Sequence, residues 1–312
     1  MPKIGFIGAG NVGATAANYA ARDELGDVVL VDIKEGMPQG KALDMSESRP
    51  IANMDPNITG TNDYDDIEGC DLFVVTAGLP RKPGMTREDL LQKNAEIIEG
   101  IGEEIRDKAP ESKIIMVTNP LDVMTYLMRE VTGFPAERVI GQAGVLDSAR
   151  FSYFIANELD VSAEDVDAMV LGGHGDSMVP LPRYTTVSGI SVEDLIEDED
   201  RLDEMVERTR GAGGEIVDLL GDGSAFYAPA AAVNQMARSI LKDKKRILPC
   251  SVYADGEYGL EDVYIGLPAK LGENGVEEII ELDLEDEEYE SLEESAEFYG
   301  EQIEIALDAV SV

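Results

Sequence analysis

Short apolar runs rich in β-branched residues alternate with helical stretches along the first half of the chain, and this alternation constrains the fold most. The runs are continuously apolar, which is typical of strands buried on both faces of a parallel sheet. They lie at KIGFIG (3–8), DVVLVD (27–32), CDLFVVTAG (70–78), SKIIMVTNP (112–120) and RVIGQAG (138–144). The pattern predicts an α/β fold, with a doubly wound, Rossmann-type parallel sheet in an N-terminal domain over residues 1–144.

The second half of the chain has a different pattern. Long helical patterns at 147–159 and 201–243 flank strand-like pieces, and a strand-rich stretch with Asp-Gly and Asn-Gly turn signals follows at 246–282. The C-terminal end is typical of a very acidic amphipathic helix. The change predicts a C-terminal α+β catalytic domain over residues 145–312 that shares one continuous body with the first.

The charge balance excludes several classes of partner. Asp+Glu 64 against Lys+Arg 25 gives a formal net charge of −39, and such a surface repels nucleic acid and anionic membranes. We therefore expect neither a nucleic-acid partner nor a membrane partner. Because the acids are spread along the chain, salt is needed to screen them, and we interpret the composition as adaptation to the salt-filled cytoplasm of an extreme halophile.

The cysteines do not indicate a metal site, and the apolar segments do not indicate secretion. Cys70 and Cys250 are the only cysteines, and neither has the spacing of a metal ligand. The start of the chain enters a strand directly without an apolar signal segment, and no apolar run is long enough to span a bilayer. We expect a cytoplasmic protein with core thiols and no metal site.

A glycine-rich turn follows the first apolar run. In GAGNVG (8–13), Gly8 suits a tight turn, Gly10 lets a pyrophosphate approach the backbone, and Gly13 allows close packing of helix and strand. The second run ends in Asp32, whose carboxylate would bind the ribose hydroxyls and repel a 2′-phosphate. Asp32 could instead cap a turn, but its place in the motif favours NAD. The candidate cofactor-binding residues here are Gly8, Ala9, Gly10, Asn11, Val12, Gly13 and Asp32.

A later strand end should also face the cofactor, because ligands sit beyond the carboxyl ends of parallel strands. The segment VTNP (117–120) adds Val117, Thr118 and Asn119 to the cofactor candidates. Asn119 before a proline could cap a turn, or its amide could hold a substrate hydroxyl.

The only histidine of the chain lies in VLGGHGDSMVP (170–180). It could be a loop residue without a role. The pKa of an unperturbed imidazole is near neutrality, however, so a single retained copy, His174, indicates proton transfer.

Two further segments carry charged residues at informative spacing. LPRKPGMTREDLLQKN (79–94) places Arg81 and Arg87 in a loop whose prolines and glycine are typical of a hinged lid. GVLDSARF (144–151) places Asp147 and Arg150 on one face of a helix. Each of these four side chains could be an ordinary solvated charge.

Taken together, these segments resemble the lactate/malate dehydrogenase family across essentially the whole chain. The resemblance is closest to the malate branch that is lactate-dehydrogenase-like in sequence. The segments that carry it are GAGNVG, AGLPRKPGMTR, VTNPLDVMTY, LDSARF and GGHGDSMVPL.

The resemblance implies a role for each charged residue. His174 exchanges the proton of the substrate hydroxyl, and Asp147 fixes its ring. Arg150 grips the C1 carboxylate, Arg87 polarises the reacting carbonyl, and Asn119 contacts nicotinamide and substrate.

Two further positions follow from the same resemblance. Asn94 is similar to a cofactor contact, and Arg81 faces the distal group of the substrate. A cation there selects a dicarboxylate, because the methyl group of pyruvate would leave it unpaired.

The implied activity is the NAD-dependent interconversion of malate and oxaloacetate, carried out by a homo-oligomer, either a dimer or a tetramer. The alternatives are an enzyme acting on lactate or another 2-hydroxy acid, a dinucleotide-binding protein that has lost its chemistry, and a methyltransferase. The residue at position 81 separates the first of these from an enzyme that acts on malate. The presence of His174, Asp147, Arg150 and Arg87 argues against the other two.

Overall fold

The computed structural model describes residues 1–79 and 86–310, apart from the side chain of Arg87. The N-terminal half builds a parallel sheet in the order β3-β2-β1-β4-β5-β6, which is the strand order of a doubly wound dinucleotide-binding fold. Its strands are β1 (Lys3–Ile7), β2 (Asp27–Val31), β3 (Ile58–Thr61), β4 (Leu72–Val75), β5 (Lys113–Met116) and β6 (Val139–Gly141). Its helices are α1 (Asn11–Arg22), α2 (Met37–Ala52), α3 (Arg87–Lys108) and α4 (Leu121–Thr132).

The C-terminal half combines helices with antiparallel strands, in agreement with the α+β fold that the sequence predicts. Its helices are α5 (Gly144–Leu159), α6 (Val192–Leu195), α7 (Glu199–Leu220), α8 (Tyr227–Leu241) and α9 (Asp286–Leu307). Its strands are β7 (Val166–Asp167), β8 (Val170–Gly172), β9 (Met178–Pro180), β10 (Thr186–Val187), β11 (Ile190–Ser191), β12 (Arg246–Ala254), β13 (Val263–Gly272) and β14 (Gly275–Ile279). Strands β7, β10 and β11 form a small separate sheet.

One sheet joins the two halves. β12 pairs antiparallel with β6 through Ser251 and Gly141, and the sheet continues through β13, β8 and β9. A Cβ at Gly141 would lie 2.6 Å from the Cβ of Ser251, so glycine permits the close approach of the two strands. The loop after β8, which carries His174, is thereby fixed relative to the parallel sheet.

One strand was not anticipated from the sequence, and one sequence expectation is wrong. β3 was missed because its four residues, ITGT, include a single apolar side chain, that of Ile58. The single helical pattern at 201–243 is two helices, α7 and α8, because Gly221 and Gly223 adopt positive φ angles between them. No helix in the described ranges is long and apolar enough to cross a membrane.

Candidate active site

The carboxyl ends of β1, β2, β4 and β5 meet at one edge of the sheet because these strands are parallel. The contacts between the loops that follow them are direct. Gly8 donates its backbone N–H to the carbonyl of Val31 at 2.8 Å, and the Thr76 hydroxyl donates to the carbonyl of Gly8 at 3.1 Å. The glycine-rich turn, Asp32 and the strand ends after β4 and β5 therefore surround one cleft.

Each glycine of the turn has a distinct steric reason. Gly8 has a φ of +105°, and a Cβ there would lie 2.6 Å from the Thr76 hydroxyl oxygen. A Cβ at Gly13 would lie 1.9 Å from the carbonyl oxygen of Gly8, whereas a Cβ at Gly10 would meet no atom of the described residues within 4 Å. Within the described part of the chain the Gly10 backbone is thus uncovered, as a close approach of pyrophosphate requires.

The first turn of α1 offers backbone donors to an anion. The helix begins at Asn11 after Gly10, and no side chain that the structure describes caps its N-terminus. Asn11 is exposed, Val12 is half-buried and Ala9 is buried at the base of the turn. An uncapped helix N-terminus with free N–H groups binds phosphate oxygens.

Asp32 and an unexpected lysine complete this part of the cleft. The Asp32 carboxylate accepts the N–H of Ala9 at 2.8 Å and that of Lys34 at 2.9 Å, and each oxygen keeps a second lone pair for a ribose hydroxyl. Lys41 on α2 donates to the carbonyls of Ala9 at 2.7 Å and Gly10 at 3.2 Å. Its cation supports the turn and lies where a pyrophosphate would need positive charge. These residues fit NAD.

The three residues after β5 lie at the same edge. Val117 is half-buried and Asn119 is exposed. Thr118 is buried, and its hydroxyl donates to the carbonyl of Ala77 at 2.7 Å. Asn119 is therefore the most exposed of the three residues at this edge.

Asn94 on α3 contacts backbone in this structure. Its amide oxygen accepts the N–H of Leu79 at 2.8 Å, and its amide nitrogen donates to the carbonyl of Asn119 at 2.8 Å. The side chain is 1% exposed. Asn94 therefore ties two strand-end loops together at the cleft.

His174, Asp147 and Arg150 form a bonded cluster across β8 and α5. His174 Nδ1 lies 2.8 Å from Asp147 Oδ2, and Arg150 donates to Asp147 Oδ1 at 3.1 Å. Asp147 is 2% exposed, Arg150 13% and His174 17%. Because Nδ1 is bonded to Asp147, the other ring nitrogen, Nε2, is the one that can exchange a proton.

Burial and charge oppose each other at His174. Burial alone would lower the pKa of the imidazole, but the Asp147 charge and hydrogen bond, with help from the Asp122 charge, raise it above its ordinary value. The site therefore favours an imidazolium that can donate a proton near neutral pH.

Asp122 is a second buried carboxylate at His174 that the sequence reasoning missed. It lies in the first turn of α4, is fully buried, and accepts the backbone N–H of His174 at 2.9 Å. Burial raises the pKa of Asp122, and the hydrogen bond from His174 opposes this. The sequence does mark Asp122, because it is an acid inside the mostly apolar run LDVMTYLM (121–128). No comparable pattern marks Lys41.

Two further predicted site residues are Arg81 and Arg87. Arg81 lies outside the described residues. Arg87 is the first residue of α3, after Thr86, which forms a capping box with Asp89, but its side chain lies outside what the structure describes.

The fold and this cleft define an NAD-dependent oxidoreductase, with a dinucleotide-binding sheet and a carboxylate-paired histidine at its carboxyl edge. The family of lactate/malate dehydrogenase NAD-binding domains matches residues 2–141, and that of the lactate/malate dehydrogenase alpha/beta C-terminal domains matches residues 144–310. The chain belongs to the lactate/malate dehydrogenase family.

Three relatives illustrate the similarity. The malate dehydrogenase of Salinibacter ruber is 61% identical over 94% of this chain and 93% of the relative. A crystal structure of malate dehydrogenase from that organism covers 98% of both chains with a TM-score of 0.94 at 57% identity. The lactate dehydrogenase of Cryptosporidium parvum, complexed with lactic acid and nicotinamide adenine dinucleotide, covers 99% of both chains with a TM-score of 0.95 at 42% identity. The fold class and the family expected from sequence are confirmed.

Proposed function

We propose that the chain is an NAD-dependent malate dehydrogenase that interconverts (S)-malate and oxaloacetate. The observation that carries the proposal is the hydrogen bond between His174 Nδ1 and Asp147 Oδ2, 2.8 Å long, beside Arg150 and the dinucleotide cleft. In this proposal residues 1–144 bind the cofactor, and residues 145–312 supply the catalytic histidine, its carboxylate and the carboxylate-binding arginine.

His174 is proposed to move the proton that accompanies hydride transfer. In malate oxidation Nε2 takes the proton of the C2 hydroxyl, and in oxaloacetate reduction it returns that proton to the carbonyl oxygen. Asp147 keeps the ring oriented and stabilises the imidazolium. The nicotinamide cofactor, when bound, would accept the C2 hydride of malate as NAD⁺ and would return a hydride to oxaloacetate as NADH.

Arg150 is proposed to bind the C1 carboxylate of the substrate. Its guanidinium is held by Asp147, and its Nε is buried without a hydrogen-bond partner among the described residues. A buried donor without a partner is costly, and a bidentate carboxylate would satisfy it. In the same proposal the Asn119 amide contacts nicotinamide and substrate, while Arg87 stabilises the charge developing on the reacting oxygen.

The choice between malate and lactate is assigned to Arg81. Similarity to relatives leaves both open in principle, since a lactate dehydrogenase is also 42% identical. The greater identity to a malate dehydrogenase, 61%, and a cation at position 81 both favour the dicarboxylate. A lactate dehydrogenase is therefore the second candidate.

The setting of the enzyme is part of the same proposal. The net charge of −39 supports a salt-rich cytoplasm and an extremely halophilic source. Membership of the lactate/malate dehydrogenase family supports a homo-oligomer, either a dimer or a tetramer.

The test is a comparison of substrates and cofactors at molar salt. Oxidation of NADH is followed with oxaloacetate and with pyruvate, and then with NADPH replacing NADH. We expect oxaloacetate with NADH to give by far the highest kcat/KM, and His174→Asn to lower kcat about 10²- to 10⁴-fold while NADH still binds. Faster turnover of pyruvate than of oxaloacetate would favour the second candidate.

A further inference from the structure

The C-terminal helix α9 contacts the loop that carries the catalytic histidine. The Tyr299 hydroxyl donates to the backbone carbonyl of His174 at 3.1 Å. One turn earlier on the helix, the Ser295 hydroxyl oxygen accepts the backbone N–H of Gly173 at 2.9 Å and the hydroxyl itself lies 3.0 Å from that of Ser177. Tyr299 is 6% exposed and Ser295 1%, so both contacts are shielded from water.

The Tyr299 ring also fixes the backbone by its shape. A Cβ at Gly173 would lie 1.8 Å from Cε2 of the ring, so the ring lies directly on the Gly173 backbone. Ring and hydroxyl together therefore contact two consecutive residues of the loop.

The loop needs such contacts because glycines flank the histidine. Gly172 and Gly175 have φ angles of +78° and +148°, and glycine is the residue with the greatest backbone freedom. A small movement of the His174 backbone would change the distance of its ring from Asp147. Catalytic geometry is sensitive to displacements of about 1 Å.

We propose that Tyr299 is a positioning residue for proton transfer, which holds the His174 carbonyl while Asp122 holds its N–H and Asp147 holds its ring. The link to turnover rests on the proposed function. Burial raises the pKa of the Tyr299 hydroxyl well above its ordinary value, so it acts as a hydrogen-bond donor and not as a proton source.

The test uses the fact that the chain has a single histidine. With ¹³C-labelled histidine, one imidazole signal reports the pKa of His174 directly by NMR, independently of any substrate. The groups that set this pKa are Asp147 and Arg150 from α5 and Asp122 from α4. Tyr299→Phe removes the hydroxyl and keeps the ring on Gly173.

Tyr289→Phe is the matched control. Tyr289 is on the same helix, and its hydroxyl donates to the backbone carbonyl of Tyr258 at 2.9 Å. Both variants lose one tyrosine-to-carbonyl hydrogen bond. Because Tyr289 is 37% exposed and Tyr299 6%, Tyr289→Phe should lower the melting temperature no more than Tyr299→Phe does. Only Tyr299→Phe should affect the histidine.

We expect Tyr299→Phe to lower the His174 pKa, because a less fixed ring has a weaker contact with Asp147. We also expect about fivefold lower kcat for oxaloacetate reduction, as for loss of one neutral hydrogen bond, with little change in the KM for NADH. Tyr289→Phe should keep the wild-type pKa and kcat.

An unchanged His174 pKa together with kcat within twofold of wild type would overturn the positioning role of Tyr299. Wild-type protein that reduces no oxaloacetate would instead overturn the proposed function, and the NMR comparison would still decide whether Tyr299 positions the histidine. Gly173→Ala offers a second measurement, since the added methyl must displace the Tyr299 ring. That variant should lower the His174 pKa and kcat further than Tyr299→Phe, and wild-type values in it would also contradict the proposal.

Discussion

The pKa of His174 is raised because its acidic neighbours outweigh the effect of its burial. Asp147→Asn removes the main opposing charge and leaves the burial, so the pKa should fall from its raised value to below that of an ordinary histidine. In the proposed mechanism oxaloacetate reduction requires the protonated ring. The reduction activity of the variant should therefore be lost at lower pH than that of the wild type. The measurement is kcat/KM against pH, which reports the ionisation of the free enzyme.

The control for this substitution is Asp167→Asn, which removes the same charge from an exposed position on β7. Screening by solvent should leave its pH profile unchanged. A profile of Asp147→Asn that coincides with that of the control would remove Asp147 from the proton chemistry.

In the proposed function, the choice of substrate depends on Arg81. Arg81→Gln keeps much of the side-chain length but removes the cation, so oxaloacetate should lose a charge-assisted pair while pyruvate no longer faces an unpaired charge. Truncating such a pair costs about 2–5 kcal/mol, or roughly thirty- to several-thousand-fold in the ratio of the two kcat/KM values. The assay is both substrates at one salt concentration. A ratio within about threefold of wild type, less than 1 kcal/mol, would contradict the assignment.

The catalytic cluster could be predicted from sequence only where a motif marks it. The i, i+3 spacing of Asp147 and Arg150 and the single His174 are visible in the chain, and the structure brings these three together. Asp122 and Tyr299 reach the His174 backbone across 52 and 125 residues. No local spacing encodes such contacts, because they depend on how α4 and α9 pack against the loop after β8.

At the scale of elements, the turn between β1 and α1 depends on glycine for space. Gly13→Ala would bring a methyl group to 1.9 Å from the Gly8 carbonyl oxygen, and backbone on both sides would have to move. We expect destabilisation of about 3 kcal/mol, in the range of overpacked cores, and weaker NADH binding. Denaturant unfolding and NADH fluorescence titration are the measurements.

Gly100→Ala is the matched substitution in another helix. Gly100 lies in α3, and a Cβ there would meet nothing within 4 Å. The protein should become more stable by about 1 kcal/mol, the difference in helix propensity between the two residues, with unchanged NADH binding. If both alanine variants bind NADH as wild type does, the steric explanation of Gly13 is wrong.

Elements were predictable where hydrophobic burial alone specifies them. The continuous runs located β1, β2, β4, β5 and β6, because strands buried on both faces leave no polar positions. β3 lies at the edge of the sheet, where one side has no strand partner and the apolar pattern weakens. The break between α7 and α8 was missed although the sequence carries a turn signal there, Gly221-Asp222-Gly223, whose glycines adopt positive φ angles.

For the whole molecule, we expect charge repulsion to be the contribution to the free energy of unfolding that changes most with salt concentration. The net charge is −39, and α9 carries no basic residue in DEEYESLEESAEFYGEQIEIAL. Ion pairs involving Arg183 with Glu285 and Glu288 attach the start of this helix to the rest of the domain, but exposed pairs of this kind contribute about 0–1 kcal/mol each. We therefore expect screening of this repulsion by ions to add to the stability that the buried face of α9, including Leu292 and Ile303, provides.

This repulsion leads to a prediction about salt. The melting temperature should rise steeply from about 0.05 M salt to several molar, because the screening length falls from more than 10 Å to about 3 Å by 1 M. Sucrose at matched water activity should not reproduce the low-salt part of the rise, since a neutral solute does not screen charge. The measurement is a series of thermal melts in both solutes.

A charge-reduced variant separates screening from general salting-out. Replacing four exposed carboxylates of α9 by amides, Glu290→Gln, Glu293→Gln, Glu294→Gln and Glu297→Gln, removes repulsion while keeping the shape of each side chain. If screening dominates, the variant should melt above wild type at low salt, and the two curves should converge at molar salt, where the removed charges no longer interact. Parallel curves with a constant offset would show that the acidic surface does not affect the melting temperature through repulsion. A melting temperature independent of salt would contradict salt adaptation.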